Sequence, residues 1–126
     1  MLVLDSGGVT KLAERSTQAA ALIGAFQRQG LWPPLVPSIV LVECLRGRPD
    51  KDARTNRFVK TCDVDTDLPE AQARRAAQLR GRARRGSAVD AVVVAAAEPG
   101  GTVYSGDVDD LRALATHARD VAVERA

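Results

Sequence analysis

Four acidic residues end or interrupt runs of apolar sequence, and any fold that accepts this chain must give each carboxylate a place. Asp5 closes the opening run Met-Leu-Val-Leu-Asp, and Glu43 sits inside Ile-Val-Leu-Val-Glu-Cys-Leu over 39–45. Asp90 breaks Ala-Val-Asp-Ala-Val-Val-Val-Ala-Ala-Ala over 88–97, and Asp107 follows Thr-Val-Tyr-Ser-Gly at 102–106. An ionised carboxylate taken out of water without a partner is heavily destabilised or becomes protonated. One such residue is an ordinary buried acceptor. Four in a small domain ask for a shared cation. All-oxygen ligands, with no His or Cys cluster, favour a hard divalent ion, Mg²⁺ or Mn²⁺.

The length sets the frame for that site. A chain of 126 residues is expected to form one domain, residues 1–126, with a single hydrophobic core. With aromatics at only 3%, Ala, Val and Leu must build the core. No apolar stretch approaches the roughly 20 residues of a membrane span. The start lacks the basic region and cleavage site of a signal peptide. Cys44 and Cys62 have no CxxC spacing, so a reduced, cytoplasmic protein is expected. The net charge of +2 says little, but its distribution says more. From Ala71 to Val89 there is no acid, while Arg74, Arg75, Arg80, Arg82, Arg84 and Arg85 fall there. A basic segment beside an acidic pocket suits a polyanionic substrate.

Apolar periodicity and turn residues place the elements. Residues 2–4 read as a buried strand ended by Asp-Ser-Gly-Gly at 5–8. A helix is expected over 16–29, with Ser16 as N-cap and Ala19, Leu22, Ile23 and Phe26 on its apolar stripe. An extended segment leads to Ser38, which would cap a helix over 39–46. A polar helix over 50–61 precedes an extended piece at 62–64. Pro69 opens a helix over 69–85, Ser87 caps one over 88–98, and Pro99-Gly-Gly ends it. A strand at 102–104, a helix at 107–117 and a last strand at 121–123 complete the chain. Strands alternating with helices indicate an α/β sandwich with a mainly parallel sheet. Asp5 and Asp107 then lie beyond the C-terminal ends of strands, where open parallel sheets place their sites. Glu43 and Asp90 lie on helices expected to pack inward.

In this order, Leu-Asp-Ser, Val-Glu-Cys-Leu-Arg-Gly, Val-Asp-Ala-Val-Val-Val-Ala-Ala-Ala and Ser-Gly-Asp-Val-Asp-Asp-Leu resemble the PIN-domain nucleases, and among them the VapC-type toxins of bacterial toxin–antitoxin pairs. The resemblance spans essentially the whole chain, with successive acids 38, 47 and 17 positions apart. It implies a three-layer α/β/α fold, Mg²⁺- or Mn²⁺-dependent endoribonuclease activity on RNA, a cognate antitoxin protein and a homodimer. Asp5, Glu43, Asp90 and Asp107 match the family's acidic cluster, which assigns them as metal ligands and catalytic residues. Asp109 matches a further acid two places on, and Ser6 and Ser105 match small hydroxyl positions. The family often has a hydroxyl or hydrophobic residue where this chain has Gly7-Gly8.

Phosphodiester hydrolysis needs a nucleophile at neutral pH and stabilisation of charge on the phosphate, both of which divalent cations supply. On this assignment Asp5 and Asp90 are principal ligands, and Glu43 and Asp107 hold a second ion or orient water. Each acid also has an ordinary explanation. Asp5 could be a turn residue, Asp107 a helix N-cap, and Asp90 a late cap of its own helix. Glu43, among Ile39, Val40, Val42 and Leu45, has little structural purpose. Asp109 and Asp110 read as first-turn acids complementing a helix dipole. At 100° per residue Arg74, Arg75, Arg82 and Arg85 share a sector, which suits a phosphate-binding stripe or a solvated face. His117 reads as a surface residue, and Trp32 as packing. Gly7-Gly8 lacks the companions of a phosphate-binding loop. Two other functions stay open: a catalytically silent RNA-binding module of the same shape, and a phospho-accepting signalling domain.

Overall fold

Leu2–Leu4 (β1) is buried at all three positions, because helices cover both faces of the sheet it centres. The computed structural model describes residues 1–126. Five parallel strands, β1, β2 (Leu35–Pro37), β3 (Asp63–Asp65), β4 (Thr102–Ser105) and β5 (Ala122–Arg125), form one sheet in the order β3-β2-β1-β4-β5. Leu2, Val3 and Leu4 lie opposite Thr102, Val103 and Tyr104, and Val3 lies opposite Leu35. The edges carry charge: Asp63 and Asp65 on one side, Glu124 and Arg125 on the other. Such side chains discourage pairing with another sheet.

Seven helices complete the expected α/β/α sandwich. Around α1 (Ser6–Ala13) pack α2 (Thr17–Arg28), α3 (Val40–Cys44) and α4 (Pro49–Val59). Mutual contacts join α5 (Glu70–Ala83), α6 (Ala88–Ala97) and α7 (Asp109–Ala115) into the second group, with α6 lying on β1, β2 and β4. The core is aliphatic, as the scarcity of aromatics requires. Phe26 meets Tyr104 edge-on at 5.3 Å between ring centres, and Trp32 packs on Phe58 at 6.2 Å.

Local capping follows the sequence at two helices. Ser16 Oγ accepts the Ala19 N–H at 3.0 Å, and Ser87 Oγ accepts that of Asp90 at 3.0 Å. Three expectations change. Residues 6–13, for which no element is expected beyond the Asp-Ser-Gly-Gly stop at 5–8, form α1; Asp5 caps it by accepting the Gly8 N–H at 2.8 Å, and Val9, Leu12 and Ala13 bury its inner face. Ser38 makes no side-chain cap, since Ile39 takes that position. The helix expected over 39–46 shrinks to the five residues of α3 and does not bury all its apolar side chains: Val42 is 77% exposed, while Val40 is buried. A helix this short packs on one side only.

Candidate functional site

The four acids reach one place from four parts of the chain. Asp5 follows β1, Asp107 lies two residues beyond β4, Glu43 is on α3 after β2, and Asp90 is in the first turn of α6. Together with Ser6, Gly7, Ser87, Ser105 and Asp110 they line a cavity of about 330 Å³. It opens at the C-terminal end of the parallel sheet, as sheet topology predicts. None of the nine lining residues is apolar or basic.

Gly8 sets how closely α1 approaches the end of β4. A Cβ there would lie 2.3 Å from the Tyr104 carbonyl oxygen, and one at Gly7 would lie 3.0 Å from the Gly106 nitrogen. Only glycine lets the first turn of α1 press against the end of β4. The register of β1 on β4, with Leu4 opposite Tyr104, brings Asp5 beside Ser105. The Ser105 hydroxyl is wholly buried and donates to Asp5 Oδ2, while its oxygen accepts the Asp107 N–H at 3.0 Å. One serine thus ties the first acid to the loop carrying the fourth.

The acids differ in how firmly they are held. Asp5 is 7% exposed and has a hydrogen bond on each oxygen. Burial raises its pKa, the Ser105 and Gly8 hydrogen bonds oppose the rise, and the charges of Asp90 and Glu43 add to it. Asp90 completes a capping box: its Oδ2 accepts the Ser87 N–H at 3.2 Å. The capping role and a role in the cavity therefore coexist, because a carboxylate has lone pairs for both. Glu43 and the Asp107 carboxylate have no hydrogen-bond partner within the protein, and both are exposed. Asp107 does not cap α7, whose N-cap is Val108.

The donor set fits a hard cation. Every side-chain donor in the cavity is oxygen, five are carboxylates, and no Lys, Arg or His lines it, although Arg85 pairs with Asp110 from outside. As the side chains stand, no three carboxylates close into a ligating group. Asp5 and Asp90 are the two fixed by backbone hydrogen bonds, and Glu43 and Asp107 are the two left to adjust.

Several neighbouring residues behave otherwise than their sequence context suggests. Asp110, read as a solvated helix acid, lines the cavity and pairs with Arg85 at 2.7 Å; Asp109 does not line it. No local pattern marks that difference. The arginines of α5 do not form a free stripe. Arg74 pairs with Glu70 at 2.8 Å, and Arg75 pairs with Glu98 through two nitrogens at 2.8 Å. Arg85 lies beyond the helix, which ends where Arg84 turns left-handed at φ 55°. Cys44 and Cys62 are half-buried, and burial raises both thiols, Cys62 to about 11, so neither is a ready thiolate. His117 is exposed.

The chain matches no family model, and no curated protein is similar enough to it to count as a relative.

Proposed function

We propose that the protein is a Mg²⁺- or Mn²⁺-dependent endoribonuclease of the PIN-domain type, acting as the VapC-like toxin of a toxin–antitoxin pair. One observation carries this reading: Asp5, Glu43, Asp90 and Asp107 line a single cavity that contains no basic or apolar side chain. Asp5 and Asp90 would hold the cation, with Glu43 and Asp107 beside them. The bound ion would supply Lewis-acid stabilisation of the phosphate and lower the pKa of water. The chain's own contribution is order. Gly8 and Ser105 fix both oxygens of Asp5, Ser87 fixes one oxygen of Asp90, and Ser105 holds the Asp107 loop. In the hydrolysis, a water oxygen bonds to phosphorus and the bond to the 3′-oxygen breaks. The products end in 5′-phosphate and 3′-hydroxyl.

A nuclease of this kind needs restraint. Ile39 and Val42 stand exposed on the helix that carries Glu43, an apolar flank suited to a protein partner. The antitoxin and a second copy of this chain are the partners proposed.

The test joins chemistry to biology. Purified protein should cut RNA, stop in EDTA and resume with Mg²⁺ or Mn²⁺. Asp90→Asn should cut about 10²-fold more slowly or worse. Its amide oxygen still accepts the Ser87 N–H, so its melting temperature should hold. Expression alone should slow growth, and co-expression with the product of a neighbouring reading frame should restore it. The mass of the purified complex reads the number of copies. Fragments ending in 2′,3′-cyclic phosphate, or full activity of Asp90→Asn in EDTA, would sink the mechanism; unimpaired growth would sink the toxin role.

A further inference from the structure

The acidic cavity is the end of a longer groove. It shares Ser6, Gly7 and Glu43 with a neighbouring depression of about 500 Å³, which also takes in Lys11 and Arg46. That depression shares Thr10, Glu14, Cys44 and Arg46 with a third, of about 570 Å³, lying along α4. The charge changes along the path, from five carboxylates at one end to a mixed end where Arg46, Lys51, Arg54 and Arg57 outnumber Glu14, Asp50 and Asp52.

Those four cations form no salt bridge. None comes within 4.0 Å of a carboxylate, unlike Lys11, Arg48, Arg74, Arg75 and Arg85. The acids beside them are occupied. Glu14 faces Lys11 at 3.8 Å, and Asp50 faces Arg48 at 3.9 Å. Asp52 is buried and accepts the backbone N–H groups of Arg46, Gly47 and Arg48 at 2.9 to 3.1 Å. It fixes the turn between α3 and α4, where Gly47 takes φ 75°, and so holds Arg46 at the junction of the two depressions. Lys51, Arg54 and Arg57 recur every third residue along one flank of α4.

We propose that this trough, and not the arginine-rich α5, is the track for the RNA strand whose scissile phosphate enters the acidic cavity. The inference rests on the nuclease reading and adds the path of the substrate. A phosphodiester chain carries a negative charge at every link, so a row of unpaired cations continuous with the reaction site matches it along its length. No aromatic ring lines any of the three depressions, so bases gain no stacking platform there. Contact is to phosphates, and it should be insensitive to sequence and steeply dependent on salt.

The test measures binding without cleavage. A fluorescein-labelled single-stranded RNA of mixed sequence is titrated with full-length protein in EDTA at several salt concentrations. Arg54→Ala/Arg57→Ala removes two exposed, unpaired side chains, so its circular dichroism and melting should match wild type. Its affinity should fall about tenfold or more, and the slope of log K against log salt should flatten by about 1.4, two contacts at about 0.7 each. Arg74→Ala/Arg82→Ala, on α5, should change neither. Unchanged binding by the α4 variant, or no binding by wild type, overturns the track. So does polyglutamate that displaces RNA as well, charge for charge, as RNA itself does, since that would mark a site for acidic protein. Intact α4-dependent binding without cleavage in Mg²⁺ would leave the track standing and count against the nuclease reading alone.

Discussion

Asp5 is held by hydrogen bonds that order it and by surroundings that resist its charge. The rise in its pKa, led by burial, means that the folded protein binds this proton more readily than the unfolded chain. Stability therefore falls as pH rises from the unfolded value near 3.8 through the raised folded value, and the full loss is present once pH exceeds that folded value. Asp5→Asn removes that loss. Its amide oxygen can accept the Gly8 N–H while its amide nitrogen donates to Ser105 Oγ, whose own proton can turn to the Asp107 carbonyl 3.0 Å away. The variant should melt higher than wild type at about pH 7, with the gain shrinking in acid as wild-type Asp5 is protonated. RNA cleavage should be lost. A lower melting temperature at neutral pH would show that the hydrogen bonds of the charged form outweigh its desolvation.

At the level of elements, α1 is where local preference and tertiary packing disagree most. Two glycines in its first turn disfavour a helix, yet the helix forms because Asp5 caps it and three side chains anchor it in the core. Gly8→Ala should cost about 1–3 kcal/mol, since its methyl group meets the Tyr104 carbonyl oxygen and α1 must back away from β4. Activity should fall further than stability, because the same shift pulls the Gly8 N–H away from Asp5 Oδ1. Gly81→Ala is the contrast. Gly81 lies inside α5 with open space around it, and alanine there should stabilise by about 0.5–1 kcal/mol. Urea unfolding of the two variants checks both signs; equal effects would remove the packing argument.

At the scale of the molecule, the second helical layer is closed by the Arg75–Glu98 pair. Glu98 is 8% exposed at its side chain and also accepts the Arg119 N–H at 2.7 Å, while Arg75 reaches the His117 carbonyl at 3.2 Å. The pair thus links α5, the end of α6 and the turn after α7. The Arg75 hydrogen bonds hold the Glu98 carboxyl below its usual value of 4.5, with the Arg119 N–H assisting. A depressed carboxyl contributes stability that is complete above the unfolded pKa and is lost as pH falls through the folded one. Glu98→Gln should cost about 2–3 kcal/mol near neutral pH, and the gap should close in acid as wild-type Glu98 takes up its proton. Chemical unfolding at both pH values measures this, and a constant gap would mean that the charge is not its source.

Local chemistry was enough to read the alternation of strands and helices, the Ser16 and Ser87 caps and the positions of the four acids on or beside their elements, because each depends on neighbours within a few residues. The α/β sandwich followed from that alternation. What lay beyond local chemistry was whatever depends on a distant partner. Helix α1 is anchored in the core by Val9, Leu12 and Ala13 and presses on the end of β4, contacts that no window around Gly7-Gly8 contains. Three of the four arginines in the expected stripe were paired, by Glu70, Glu98 and Asp110, two of these on other elements, and Arg82 alone was left, whereas Lys51, Arg54 and Arg57 stand unpaired on α4, in a segment that mixes both charges in sequence. Asp110 and Asp109 are indistinguishable as first-turn acids, and only the packing of α7 sends one of them into the cavity. Periodicity fixes the face a side chain occupies on its own element; which charges then meet is decided by contacts between segments far apart in the chain.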